Sequence, residues 1–512
     1  MTYQEKAVKG VSWQILGLLI SLPIGYFIRV LYARELSKPD VGLFYSLLDL
    51  FGLLAIFRGF GISAAIVRYI PKFLAQKDLN QVKGAILFGG IFLGISSLVF
   101  TGLIFLFAPL IVKVYFGKSS LDLQFIIFCF YVMAVGYYLG EGIFGYVGGL
   151  IHGFQRQDYL SIANILKVFF IFIISLFLIY FFHLKTALVP VLAYSLYPLV
   201  LTLIFVFLFF KKIFPEFFQI KPVIPSQTKK EILRYSSFVM FTSVGGLILG
   251  YTDGVCINFY KGLNLVADYR NVAMPTTNII RFFTSTIISV LFPMVSELWE
   301  KKNKDILSYG IHKAYLYIVA IAFPLALILL VFPTVVINLL FGVNYLSAAG
   351  MIQVLSFSAI FSATSGLGFS ILNGMGKVDL SSRIIYIGAG LNLVLNLILI
   401  PPLGGVGAAI ATLFSFLVMS SIQVRFINNY LERNVLSKKV IYVLGLSLVC
   451  LIPVLLLKNL VKEINVFFQI LFCFGTYFGL YLMGAIYLKI IDTADLKPII
   501  ECGQKIIKRN SH

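Results

Sequence analysis

The chain has 512 residues, 60% hydrophobic and 12% charged, and its mean hydropathy of +0.97 implies more apolar surface than a water-soluble core can absorb. Its net charge of +20 would suit a nucleic-acid binder, but the charges sort along the chain into a membrane-topology pattern, which leaves no call for nucleic acid. The four histidines and five cysteines are dispersed, no glycine-rich phosphate loop precedes a basic helix, and no nucleophile and base share a loop. The expectation is therefore a protein that is not an enzyme and has no catalytic residue, metal or cofactor.

Apolar runs of the ~20 residues that a helix needs to cross ~30 Å of hydrocarbon recur along the whole chain. Period-two alternation is absent and runs such as 168–182 are apolar all round, so helices are the expected spanning structure. Residues 1–10 carry Glu5, Lys6 and Lys9 and enter the first run with no small-residue cleavage site, which reads as a retained span. Spans are predicted at 11–33, 42–66, 84–111, 124–151, 168–182, 187–210, 235–260, 271–296, 314–341, 350–372, 384–400, 405–424, 440–457 and 466–488. With the N-terminus inside, 29 of the 41 lysines and arginines fall in cytoplasmic segments, nine in outside loops, and three within spans. That bias predicts a multi-pass protein of the cell membrane with both termini cytoplasmic.

The longest connection, 211–234, is basic and contains prolines, and it sits where two halves would be joined. Its flanks resemble each other at a nearly constant offset. His152-Gly-Phe-Gln-Arg-Gln-Asp158 after the fourth span answers to Asn373-Gly-Met-Gly-Lys-Val-Asp379 after the tenth, 221 residues on. Pro71 and Pro293, expected to end the second and eighth spans, are 222 apart, and Phe116-Gly117 and Phe341-Gly342 are 225 apart. Six spans thus map onto six in the same orientation, a parallel repeat about an axis along the membrane normal. The predicted organisation is an N-terminal lobe (1–210), a cytoplasmic linker (211–234), a C-terminal lobe (235–425), two appended spans (426–489) and a cytoplasmic tail (490–512). Nothing in it calls for more than a monomer.

An ionised side chain at the bilayer centre costs about 2.5 to 3.5 kcal/mol on insertion scales, so it marks function by default. Six qualify: Arg29, Asp49, Arg58, Glu141, Asp253 and Arg281. Arg58 and Arg281 are 223 residues apart and fall near the middles of the second and eighth spans, which makes them symmetry-related cations for a central cavity. A guanidinium binds phosphate oxygens bidentately and stays protonated in low dielectric, so an anionic, phosphate-bearing substrate is expected. Against this stands the reading in which the arginines pair with Asp49, Asp253 or Glu141 and only tie helices together; three acids against three bases allow either. Asp253, Asp49 and Glu141 are equally candidates for coupling to a cation, H+ or Na+. Arg156, Asp158, Lys377 and Asp379 occupy equivalent cytoplasmic turns and are candidates for a salt-bridged inner gate.

Several stretches resemble a known family: Gly10-Val-Ser-Trp-Gln14, Tyr32-Ala-Arg-Glu-Leu-Ser-Lys-Pro-Asp-Val-Gly-Leu-Phe44, Tyr251-Thr-Asp253, Pro293-Met-Val-Ser296 and Leu403-Gly-Gly-Val-Gly-Ala-Ala409. They resemble the Wzx-type polysaccharide transporters of the multidrug/oligosaccharidyl-lipid/polysaccharide exporter superfamily, over nearly the entire chain. The resemblance implies an all-α membrane fold of about fourteen helices, in which two pseudo-symmetric six-helix lobes form a V and two C-terminal helices are added. It also implies that polyprenyl-linked oligosaccharide is flipped from the cytoplasmic to the outer leaflet, with arginines on helices 1, 2 and 8 lining a cationic cavity. The implied partners are the lipid-linked oligosaccharide, membrane lipids, and the glycosyltransferases or polymerase of the same assembly. A cation-coupled multidrug exporter of that superfamily is the alternative. A membrane glycan polymerase or ligase would need a sizeable outer loop, and no outside segment exceeds about a dozen residues. A major-facilitator transporter would need a glycine- and arginine-rich signature in 68–83, which is not there.

Overall fold

The computed structural model describes residues 3–460 and 466–490; the expected tail beyond them lies outside the described residues. Among the described residues there is no strand, and thirteen helices are long and apolar enough to cross a membrane. The shorter apolar stretch Leu471–Tyr487 stands at the fourteenth expected span. In chain order the helices are α1 (Tyr3–Glu35), α2 (Lys38–Leu54), α3 (Ile62–Ala75), α4 (Leu79–Phe116), α5 (Leu123–Gly153), α6 (Gln157–Tyr180), α7 (Leu188–Ile213), α8 (Ser226–Lys261), α9 (Leu263–Glu300) and α10 (Lys304–Val331). After them come α11 (Pro333–Leu340), α12 (Val343–Gly374), α13 (Val378–Leu403), α14 (Gly405–Leu431), α15 (Lys439–Leu460) and α16 (Val466–Tyr487).

The helix starts are written locally in the sequence. Ser37 accepts from the Asp40 amide, with Pro39 in the first turn of α2; Asp78 accepts from Gln81 at 2.9 Å to open α4; Asp122 accepts from Phe125 at 3.1 Å to open α5; and Asn303 accepts from Ile306 at 3.2 Å to open α10. Four predicted boundaries are corrected. The expected continuous span 42–66 is broken after Arg58, because Phe60 and Gly61 take positive φ values of 46° and 79°. The expected span 314–341 divides at Phe332, where Pro333 starts a separate short helix. Pro71 and Pro293 lie inside α3 and α9 instead of ending spans.

By internal contacts the chain divides into two compact units, Met1–Val272 with Leu393–Ala408, and Ala273–Asn392 with Ala409–His512. In the first unit α1 packs along α6, α2 along α8 and the start of α9, and α3 against α4, α5 and α8. Helix α2 is largely buried, Asp40 and Asp49 included, whereas α4 turns Leu106 and Ile91 outward at 72% and 62% exposure, as a lipid-facing helix should. In the second unit the part of α9 that belongs to it packs with α10 and α12, and α15 and α16 pack on each other and on α10. Lys458 Nζ donates to the Val331 carbonyl at 3.2 Å, at the end of α10, and Tyr481 donates to Ala320 O at 2.8 Å.

Candidate functional site

The break between α2 and α3 places Arg58. A 3₁₀ turn, Ala55–Arg58, ends α2, and the chain reverses its helical sense at Phe60 and Gly61. Irregular backbone at membrane depth needs donors for its freed carbonyls. The Arg58 carbonyl accepts from Ser96 Oγ at 3.0 Å and Ser97 Oγ at 2.6 Å, Phe60 O from Ser236 Oγ at 2.5 Å, and Leu54 O from the Tyr138 hydroxyl at 3.1 Å. Ser96 and Ser97 lie halfway along α4, so Arg58 stands level with the middle of that helix. Its guanidinium is half-buried, donates to Tyr138 O at 3.2 Å and sits 5.8 Å from the Tyr138 ring. Tyr138 belongs to a π-helical turn within α5, Met133–Leu139, a local widening common at functional positions.

A second cluster gathers at the α1–α2 end of the first unit. Asp49, fully buried, pairs with Arg270, which lies on another π-helical turn, Ala267–Ala273, inside α9. Arg270 also donates to Gly250 O at 3.1 Å, and its carbonyl accepts from Arg29 at 2.7 Å. Arg29 donates further to the Tyr45 hydroxyl at 3.0 Å and lies 5.0 Å from that ring's centroid. Asp253, also buried, accepts from the Tyr269 hydroxyl at 2.6 Å and from Asn396 Nδ2 at 2.7 Å. Glu141 forms a third cluster: it takes a salt bridge from Lys167 at 2.9 Å and a hydrogen bond from Tyr197, over whose ring the Lys167 ammonium lies at 4.9 Å.

These contacts show which sequence candidates come together. None of the three acids forms an ion pair with any of the three candidate arginines, and among the described residues Arg29, Arg58 and Arg281 have no carboxylate partner. Arg281, in the second unit, stands halfway along α9 with its side chain exposed and without a hydrogen bond among the described residues. Arg156 and Asp158 pair with each other at 2.8 Å, a local contact two residues apart, and that hydrogen bond raises the Arg156 guanidinium above its ordinary value. Lys377 lies 5.1 Å from the Tyr430 ring, and Asp379 is exposed.

The residues that hold the acids, Arg270, Lys167, Tyr197, Tyr269 and Asn396, were not singled out from sequence. Lys167 and Arg270 fell one residue outside spans expected to begin at 168 and 271. One signal could have found Arg270: it lies 221 residues after Asp49, the offset of the internal repeat.

A family model described as "Polysaccharide biosynthesis protein" matches residues 7–299. The chain is 45% identical to the uncharacterized membrane protein MJ1068 of Methanocaldococcus jannaschii, over 99% of this chain and 100% of that one. It is 26% identical to the probable low-salt glycan biosynthesis flippase Agl15 of Haloferax volcanii, over 40% of this chain and 43% of that protein. Among solved structures, the lipid II flippase MurJ in its inward closed conformation superposes with a TM-score of 0.74 at 14% identity, covering 95% of this chain and 99% of that one. An inward-facing MATE family multidrug resistance transporter of the MOP superfamily superposes with a TM-score of 0.62 at 17% identity, covering 81% and 94%. At such identities the likeness is one of fold.

Proposed function

The chain belongs to the polysaccharide biosynthesis protein family, and on that basis we propose that it is a flippase for polyprenyl-linked oligosaccharide. The head group crosses from the cytoplasmic to the outer leaflet by alternating access, on a phosphate or diphosphate carrier, for assembly of surface polysaccharide or glycoprotein. The observation that carries this reading is an imbalance of charge. Asp49, Glu141 and Asp253 are each engaged by other residues, while Arg29, Arg58 and Arg281 have no carboxylate partner among the described residues. A cation at membrane depth with no counter-charge favours an anion, and a guanidinium favours a phosphate.

The similarity to a probable glycan-biosynthesis flippase supports the same substrate class. An exporter of cationic drugs would instead need carboxylates available to its cargo, and Asp49 and Glu141 are salt-bridged. Asp253 is the acid assigned to a coupling cation, H+ or Na+. The protein acts in the cell membrane with both termini cytoplasmic, where glycosyltransferases supply its substrate; Arg156 with Asp158, and Lys377 with Asp379, are assigned to the inner gate.

The test is a double substitution, Arg58→Ala with Arg281→Ala, in liposomes containing polyprenyl-diphosphate-linked oligosaccharide. Removing two charge-assisted contacts, each worth roughly 1.5 to 3 kcal/mol, should lower flipping by at least about a hundredfold while insertion is unchanged. Undiminished flipping would refute the site.

A further inference from the structure

In the first unit, α1 and α2 are tied to the wide turn of α9 by ion pairs and hydrogen bonds. Two ion pairs reach from α2 to the turn Ala267–Ala273: Lys38, at the start of the helix, to Asp268 at 2.7 Å, and Asp49, in its second half, to Arg270. Both carboxylates are secluded, with side chains 3% and 0% exposed. Two hydrogen bonds tie α1 to the same turn, Arg29 to the Arg270 carbonyl at 2.7 Å and Asn271 Nδ2 to the Arg29 carbonyl at 3.1 Å. Glycines make the close packing possible, since a Cβ on Gly42 would run into the Leu263 backbone carbonyl and one on Gly254 into the Asp49 side chain at Oδ2.

Two features separate this arrangement from ordinary helix glue. Asp49 and Arg270 are 221 residues apart, within the range of the repeat offset, so the pair joins nearly equivalent positions of the two sequence halves, acid on one side and base on the other. The junction is also incompletely satisfied, because Asp49 Oδ2 is buried without a hydrogen-bond partner. A network built only for rigidity would satisfy both oxygens.

We propose that the Asp49–Arg270 pair, backed by Lys38–Asp268, is a latch that keeps this junction closed and must part in each transport cycle. Its purpose rests on the flippase reading, whereas its geometry does not. Breaking a buried pair by removing one partner leaves an uncompensated charge on the other, so loss of either residue shifts the closed–open equilibrium strongly.

The latch is tested with Ser46→Cys in a chain whose native cysteines are replaced by alanine. Ser46 is fully buried and lies three residues before Asp49, on the same helix face, so a water-borne maleimide on open membrane fragments reaches a cysteine there only when this junction opens. Adding Asp49→Asn or Arg270→Gln should speed labelling by at least about tenfold, a modest fraction of what breaking a buried pair can shift. The charge-swapped variant, Asp49→Arg with Arg270→Asp, should return it to the slow rate. Lys38→Gln, at the partly exposed pair, should accelerate labelling less, and it serves as the independent arm if a buried substitution prevents folding. Unchanged labelling in the single variants, or a swapped variant as fast as they are, overturns the latch. Flipping by the parent protein is measured separately. An inactive parent with an intact labelling response removes the flippase reading and leaves the latch standing.

Discussion

Replacing Gly61 with alanine asks whether the break that presents Arg58 is imposed by the chain. Gly61 has a φ of 79°, and a Cβ there would lie 2.6 Å from the Ser236 carbonyl oxygen on α8. The left-handed conformation costs a non-glycine residue roughly 1 to 2 kcal/mol. The clash is with backbone, so no rotamer relieves it, and overpacking of this kind costs about 1 to 3 kcal/mol more. The combined penalty is therefore about 2 to 5 kcal/mol. The chain can escape it only by shifting α8 or by rewinding 59–61 into a continuous helix. Rewinding would return the Arg58 carbonyl to an intrahelical partner, withdraw it from Ser96 and Ser97, and turn the guanidinium away from Tyr138.

Thermal unfolding of purified protein reads the stability change, and flipping in liposomes reads the displacement of Arg58. The control is Gly246→Ala on α8, where an added Cβ meets nothing within 4 Å; there the helix should gain up to about 1 kcal/mol. A lowered midpoint and reduced flipping in Gly61→Ala, with neither in Gly246→Ala, is the expected pattern. Equal midpoints for parent and Gly61→Ala would refute the claim that the local backbone dictates the break.

Glu141→Gln and Lys167→Met should be coupled. The side chains are 18% and 30% exposed, so their interaction falls between that of surface and buried pairs, about 1 to 3 kcal/mol; strictly additive losses in a double-mutant cycle would show that the pair does not act as one. In the second unit, Lys304 donates to Glu432 at 2.7 Å and holds that carboxyl below its usual value. A depressed carboxyl contributes its tie above the ordinary glutamate value of about 4.3 and loses it as pH falls through the lowered one. Exchange protection over 301–305, corrected for intrinsic rates, should therefore drop on acidification below roughly pH 4 in the parent and be independent of that titration in Glu432→Gln; an identical pH response in both would remove the tie.

Most spans were legible because hydropathy is a property of runs, and a run of about twenty apolar residues survives averaging. What averaging hides are features one or two residues wide. The glycines after Arg58 and Phe60 were visible, but the apolar residues around them carried the predicted span across the break to 66. The polar residues Asp268, Tyr269 and Arg270 read as the end of a loop before a span starting at Asn271, yet all four lie in one wide helical turn whose polar atoms are met from α1, α2 and α8. The same habit of ending a span at its first charge distorted the charge count on which the site depended. Three acids appeared to face three bases, so complete pairing was open. Once Lys167 and Arg270 are returned to the helices they occupy, Asp49 and Glu141 are salt-bridged to those two bases, and Asp268, returned together with Arg270, is paired with Lys38. Arg29, Arg58 and Arg281 are then left without a carboxylate among the described residues, so the boundary error had hidden the observation on which the proposed anion-binding role rests.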